Sequence, residues 1–146
     1  MIERDYLMRM IAQLSAVIAR ILFAKNAQNY AEALQLAQNA YDQLLGLNGE
    51  LVEQMDAATL SMLLGEKEKI KALAALLREE GEILHLQGNA SDGKVKYEKA
   101  LALFQEALRR STSKDDECEA AIAGLQAKLN FENRKPLQTA QVSANG

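Results

Sequence analysis

The chain has 146 residues, 49% of them apolar and 25% charged, with a formal net charge of −3. It is long enough for one domain to bury a core and too apolar for global disorder, and its acidic balance excludes a chain-wide attraction to nucleic acid or anionic lipid. A single proline, Pro136, leaves the first 135 residues without a helix breaker, and a single cysteine, Cys118, excludes a disulfide framework and suits a reducing compartment.

In chain order, the first predicted element is a helix over 3–24, where Leu7, Met10, Ile11, Leu14, Val17, Ile18, Ile21 and Leu22 recur at three- and four-residue steps. Ala12, Ala16 and Ala19 form a small-residue flank beside that stripe. Interrupted by Gln13, Ser15 and Arg20, the apolar run reads as too short to span a bilayer, and the start "MIERDY" is not that of a signal peptide. A cytosolic chain with no membrane partner is therefore expected. The stripe is wider than one intramolecular neighbour covers, so Met10, Leu14, Val17 and Ile21 are expected to form a homodimer face.

A second helix is predicted over 30–45, stopped by Gly46. "LNGELVEQMD" reads as a link with room for one helical turn, after which Asp56 caps a short helix ending at Gly65. Between residues 27 and 64 there are five acidic residues and no Lys or Arg, most simply a solvated face. A long helix over 66–86 points Ile70, Leu73, Leu76, Leu77, Ile83 and Leu84 inward and holds an interior glycine, Gly81, which marks a close neighbour. "QGNASDGK" reads as a broad turn, the next helix ends near Ser111, and a last helix carries Ala121, Ile122, Leu125 and Leu129. Residues 1–131 thus read as one all-α domain of five or six helices, with 132–146 a mobile tail.

"NYAEALQLAQNAY" (29–41) and "KYEKALALFQEAL" (96–108) match at an offset of 67 residues, which aligns Tyr30, Ala33 and Ala40 with Tyr97, Ala100 and Ala107. Phe104 adds the large aromatic of the second copy. This pattern resembles the tetratricopeptide repeat, with Gly81 as the small first-helix residue of the second unit. The resemblance implies antiparallel helical hairpins stacked in a short right-handed array, with a groove on the first helices that accepts a peptide. The opening "RDYLMRMIAQLSAVIARIL" also resembles the start of a family of small bacterial proteins of unknown function, which implies no activity.

Motifs for chemistry are sparse. Glu82 and the only histidine, His85, have the Glu-x-x-His spacing of carboxylate-bridged metal bundles, but one copy falls short of the two such a bundle uses. A metal-binding bundle centred on Glu82 and His85 is the alternative reading. Cys118 lies among carboxylates that disfavour a thiolate, and neither a nucleophile elbow nor a glycine-rich phosphate loop occurs. The expectation is a non-catalytic interaction or scaffold module, homodimeric, without a cofactor, that binds a protein or peptide and not nucleic acid.

Overall fold

Apolar residues recur at helical steps along almost the whole chain, and each stretch that carries them is helical in the structure, a computed structural model describing the backbone of residues 2–145 and the side chains of 4–131. Seven helices and no strand occur among the described residues: α1 (Ile2–Asn26), α2 (Tyr30–Leu45), α3 (Gly49–Gln54), α4 (Ala57–Leu64), α5 (Lys67–Leu86), α6 (Ala90–Arg109) and α7 (Asp116–Asn145). The count exceeds the five or six expected because the predicted link holds α3. There the Asn48 side chain accepts the Glu50 amide at 2.7 Å and starts a turn that apolar spacing alone does not reveal. Asp56 caps α4 by accepting the Thr59 amide at 2.8 Å, and Gly46 ends α2 in the left-handed region with φ 64°, both as the sequence predicts. The tail expected to be mobile, 132–146, falls where side chains lie outside the described residues; α7 carries its backbone to Asn145.

α1, α5 and α7 run parallel to one another. Lys25 and Glu82 join the C-terminal parts of α1 and α5 at 3.0 Å, while Lys69 lies over the Tyr6 ring near their N-termini. At the N-termini of α5 and α7, Asp115 binds Lys67 at 3.0 Å and Lys71 at 3.1 Å. α2 and α6 return antiparallel to them, and the core lies between, with Ile70, Leu73, Leu76, Leu77 and Ile83 of α5 fully buried. The short α3 and α4 close one end of this stack through Val52, Leu60 and Leu64.

The two hairpin turns are built alike. In the first, the Asn29 amide bonds the Ala24 carbonyl at 2.8 Å and the Ala33 amide bonds the Asn29 carbonyl at 3.0 Å; in the second, Asn89 bonds Leu84 at 2.8 Å and Gly93 bonds Asn89 at 3.1 Å. Gln28 and Gly88 occupy the same left-handed position, at φ 63° and 84°. The broad turn expected at 87–94 is therefore only three residues long, because "ASDGK" forms the first turn of α6, with Asn89 as its cap.

This equivalence corrects the sequence match. Residue 29 corresponds to 89 and 33 to 93, so the buried Ala33, Ala37, Ala40 and Leu44 of α2 correspond to Gly93, Tyr97, Ala100 and Phe104 of α6. Pairing Tyr30 with Tyr97 is wrong by seven residues. Two helical turns bring the same face round again, so the compositions agree while the pairing slides along the axis. Tyr30 is the half-buried first residue of α2, whereas Tyr97 is buried in mid-α6 and Ala107 near its end.

The expected dimer face is also corrected. Met10 and Ile21 are buried inside the chain against α2 and α5, and Leu14 and Val17 are half-buried against the same core. By length and composition, moreover, α1 is long enough to cross a membrane, since Arg4–Asn26 reaches a mean hydropathy of 1.6. The expectation of too short a span overlooked the alanines that extend the apolar run. In the fold this helix is anchored along one side by Met10, Ile21 and Ala24.

Candidate functional site

Two depressions flank α5. The first is a cleft of about 430 Å³ between α2 and α6, with α3 at one end and Glu80 and Leu84 of α5 as its floor. Glu80 stands where the stripe Ile70–Leu73–Leu77 calls for an apolar residue, and it is 2% exposed. One carboxylate oxygen accepts the buried Tyr41 hydroxyl, and the other lies 3.5 Å from Lys96 Nζ. Burial pushes the Glu80 carboxyl above its ordinary range, opposed by Lys96 and Tyr41. Burial, then Glu80 itself, pushes the Tyr41 hydroxyl well up. Lys99 donates to the carbonyls of Val52 at 2.6 Å and Glu53 at 3.0 Å, closing the C-terminal end of α3. Both Glu80 oxygens are thus engaged, and the cluster braces α2, α3 and α6 against α5. Nothing in the sequence motifs pointed to Tyr41, Glu80, Lys96 or Lys99; the signal was one carboxylate within an apolar stripe.

The second depression is a groove of about 310 Å³ between the parallel helices α1, α5 and α7. Its walls carry Lys25 and Glu82, bonded to each other, and the buried Glu79, whose carboxyl burial pushes up against the opposing pull of Lys25. Arg78 lies 5.4 Å above the Phe104 ring, and Lys128 lies 5.3 Å above that of Tyr97.

A model of a family of unknown function matches residues 1–140, nearly the whole chain. The chain belongs to DUF6483. No curated protein and no solved structure matches it.

In this DUF6483 chain the residues of the metal reading have other engagements. Glu82 holds Lys25, while His85 donates through Nδ1 to the Gly81 carbonyl at 2.7 Å and stacks on Tyr97 with centroids 4.8 Å apart. Among the described residues no group of three or more His, Cys, Asp or Glu side chains is placed to hold a metal ion. Gly81 does mark a close approach: a Cβ there would lie 2.6 Å from the Tyr97 ring. Cys118 is buried, its Sγ donates to the Phe104 carbonyl at 3.0 Å, and burial followed by Asp115 pushes its thiol up. Burial also works against the Asp115 charge. The Cys118 amide, Lys67 and Lys71 outweigh that penalty and hold the carboxyl down at about 2.

Proposed function

We propose that this chain is a cytosolic, non-catalytic interaction module of tetratricopeptide-like hairpins that takes an acidic, extended peptide along the groove between α1, α5 and α7. The observation that carries the reading is the pair of like-built hairpin turns, which set α1 and α5 side by side as first helices, with α7 continuing the row. In such a stack the first helices form the receiving wall. Arg78, Lys128 and Lys25 outnumber Glu79 and Glu82 in the groove lining and supply the charge, with Arg78 and Lys128 resting on aromatic rings. The titratable groups of the other cleft are engaged with one another, which supports a bracing role there.

Fluorescence anisotropy against a panel of extended Glu- and Asp-rich peptides tests this. A subset is expected to bind with micromolar Kd, and the charge-reversed pair Arg78→Glu with Lys128→Glu should weaken it more than tenfold. Absence of binding across the panel, or binding indifferent to the reversal, refutes the reading.

A further inference from the structure

Large apolar side chains stand exposed on the outer side of α1: Phe23 is 79% exposed and Met8 61%. Between them, on the face opposite Met10 and Ile21, lie Ala12, Ser15, Ala16 and Ala19, all exposed. The six positions 8, 12, 15, 16, 19 and 23 are separated by four, three, one, three and four residues, a spacing that reads the same in both directions. An isologous antiparallel helix pair requires this symmetry, because its two-fold axis maps each position onto its mirror in the partner. Small residues at the middle let the two backbones approach, and a large one at each end fills the space where the helices diverge.

We propose that α1 pairs with α1 of a second copy, antiparallel, about a two-fold axis between Ser15 and Ala16. Phe23 then packs on Met8 of the other copy and Ala12 on Ala19, with Ile11 and Leu22 completing one flank. Complete coverage of these eight side chains, Phe23 and Met8 foremost, sets an upper bound of roughly 650 Å² per protomer, about 1,300 Å² in total, at the low end of the range of about 1,200–2,000 Å² that stable interfaces bury. Arg9 and Arg20 fall together on the other flank, at the solvent rim. Their like charges oppose the pairing at low ionic strength, so added salt tightens the dimer. An anionic lipid surface, the other occupant such a face admits, would be released by salt. The groove is lined by different residues, apart from Leu22 at its edge, so the acidic-peptide assay is read independently of this one.

Sedimentation equilibrium at high micromolar concentration is expected to give twice the 16.1 kDa chain mass. Ala16→Glu should give a folded monomer with unchanged circular dichroism, because the position is exposed within the protomer, and a Tm that no longer rises with protein concentration. Cysteine pairing tests the register. Under mild oxidation Ala16→Cys should form a disulfide-linked dimer. Phe23→Cys alone should not, since its two copies lie roughly 22 Å apart along the axis at 1.5 Å per residue. A mixture of Met8→Cys and Phe23→Cys should cross-link. A monomeric wild type, a dimer that survives Ala16→Glu, self-pairing of Phe23→Cys, or vesicle binding by a chain monomeric in solution overturns the proposal.

Discussion

Replacing Gly93 with alanine sets two effects of opposite sign against each other. Gly93 closes the first turn of α6, where alanine is favoured over glycine by up to about 1 kcal/mol, so propensity alone makes the variant more stable. Packing opposes it. The new Cβ would lie 2.6 Å from His85 Cε1 and 2.9 Å from the Gly81 carbonyl oxygen. The second contact is backbone and cannot swing aside. The histidine ring is held too, by its 2.7 Å bond to that same carbonyl and by stacking on Tyr97. Relief therefore requires α5 and α6 to separate, and overpacking of this kind costs about 1–3 kcal/mol, with a weakened hydrogen bond adding about 1 kcal/mol. The net expectation is a loss of about 2 kcal/mol, or roughly 5–10 °C in Tm for a domain of this size. Urea unfolding followed by helical circular dichroism measures it. Gly124→Ala is the control: nothing lies within 4 Å of a Cβ at that position in α7, so a gain of up to about 1 kcal/mol is expected. A Gly93→Ala chain as stable as Gly124→Ala would refute the close crossing of α5 and α6.

Four further outcomes follow from buried polar groups. Asp115 is held down at about 2, so its contribution, on the order of 1 kcal/mol after solvent screening, is present above pH 4 and lost as pH falls toward 2. Thermal melts of wild type and Asp115→Asn should accordingly differ most near neutrality and converge in acid. Tyr41→Phe removes a donor from buried Glu80 and should cost about 1–2 kcal/mol in urea. Glu80→Gln should be neutral or stabilising at pH 7, because a carboxyl pushed upward favours the folded state only while protonated, an advantage that fades as pH rises through the folded value. Cys118, buried with a raised thiol pKa, should react with a thiol reagent only as fast as the chain opens, and immediate labelling of the native protein would contradict its placement.

Helix existence was legible because apolar spacing reports which residues face a core. The positions of Gly46 and Asp56 fixed two ends, since each acts on its own neighbours. Register was not legible to the same degree. Ala33 and Ala100 lie on like faces of like helices, and a periodic pattern matches itself after every two turns; only the hydrogen bonds of the turns, at Asn29 and Asn89, distinguish the true alignment from its shifted copy. α3 was legible only as room for one helical turn within a link, because a six-residue helix depends on a cap at Asn48 and on Lys99 from α6, 46 residues beyond Glu53. The brace at Glu80 was hidden for a related reason: its partners come from α2 and α6, and no local window contains them. The exposed outer side of α1 became visible only once the fold showed which side of its apolar surface was already covered.

The wiring of the stack bears on how the chain acquires its shape. α1 meets α2 and α5 meets α6 across three-residue turns, and α7 settles on the helix just before it. Most loops to be closed are thus short, and little entropy is spent before contacts form. Each hairpin can assemble as it leaves the ribosome, with α7 arriving after them to pack on α6.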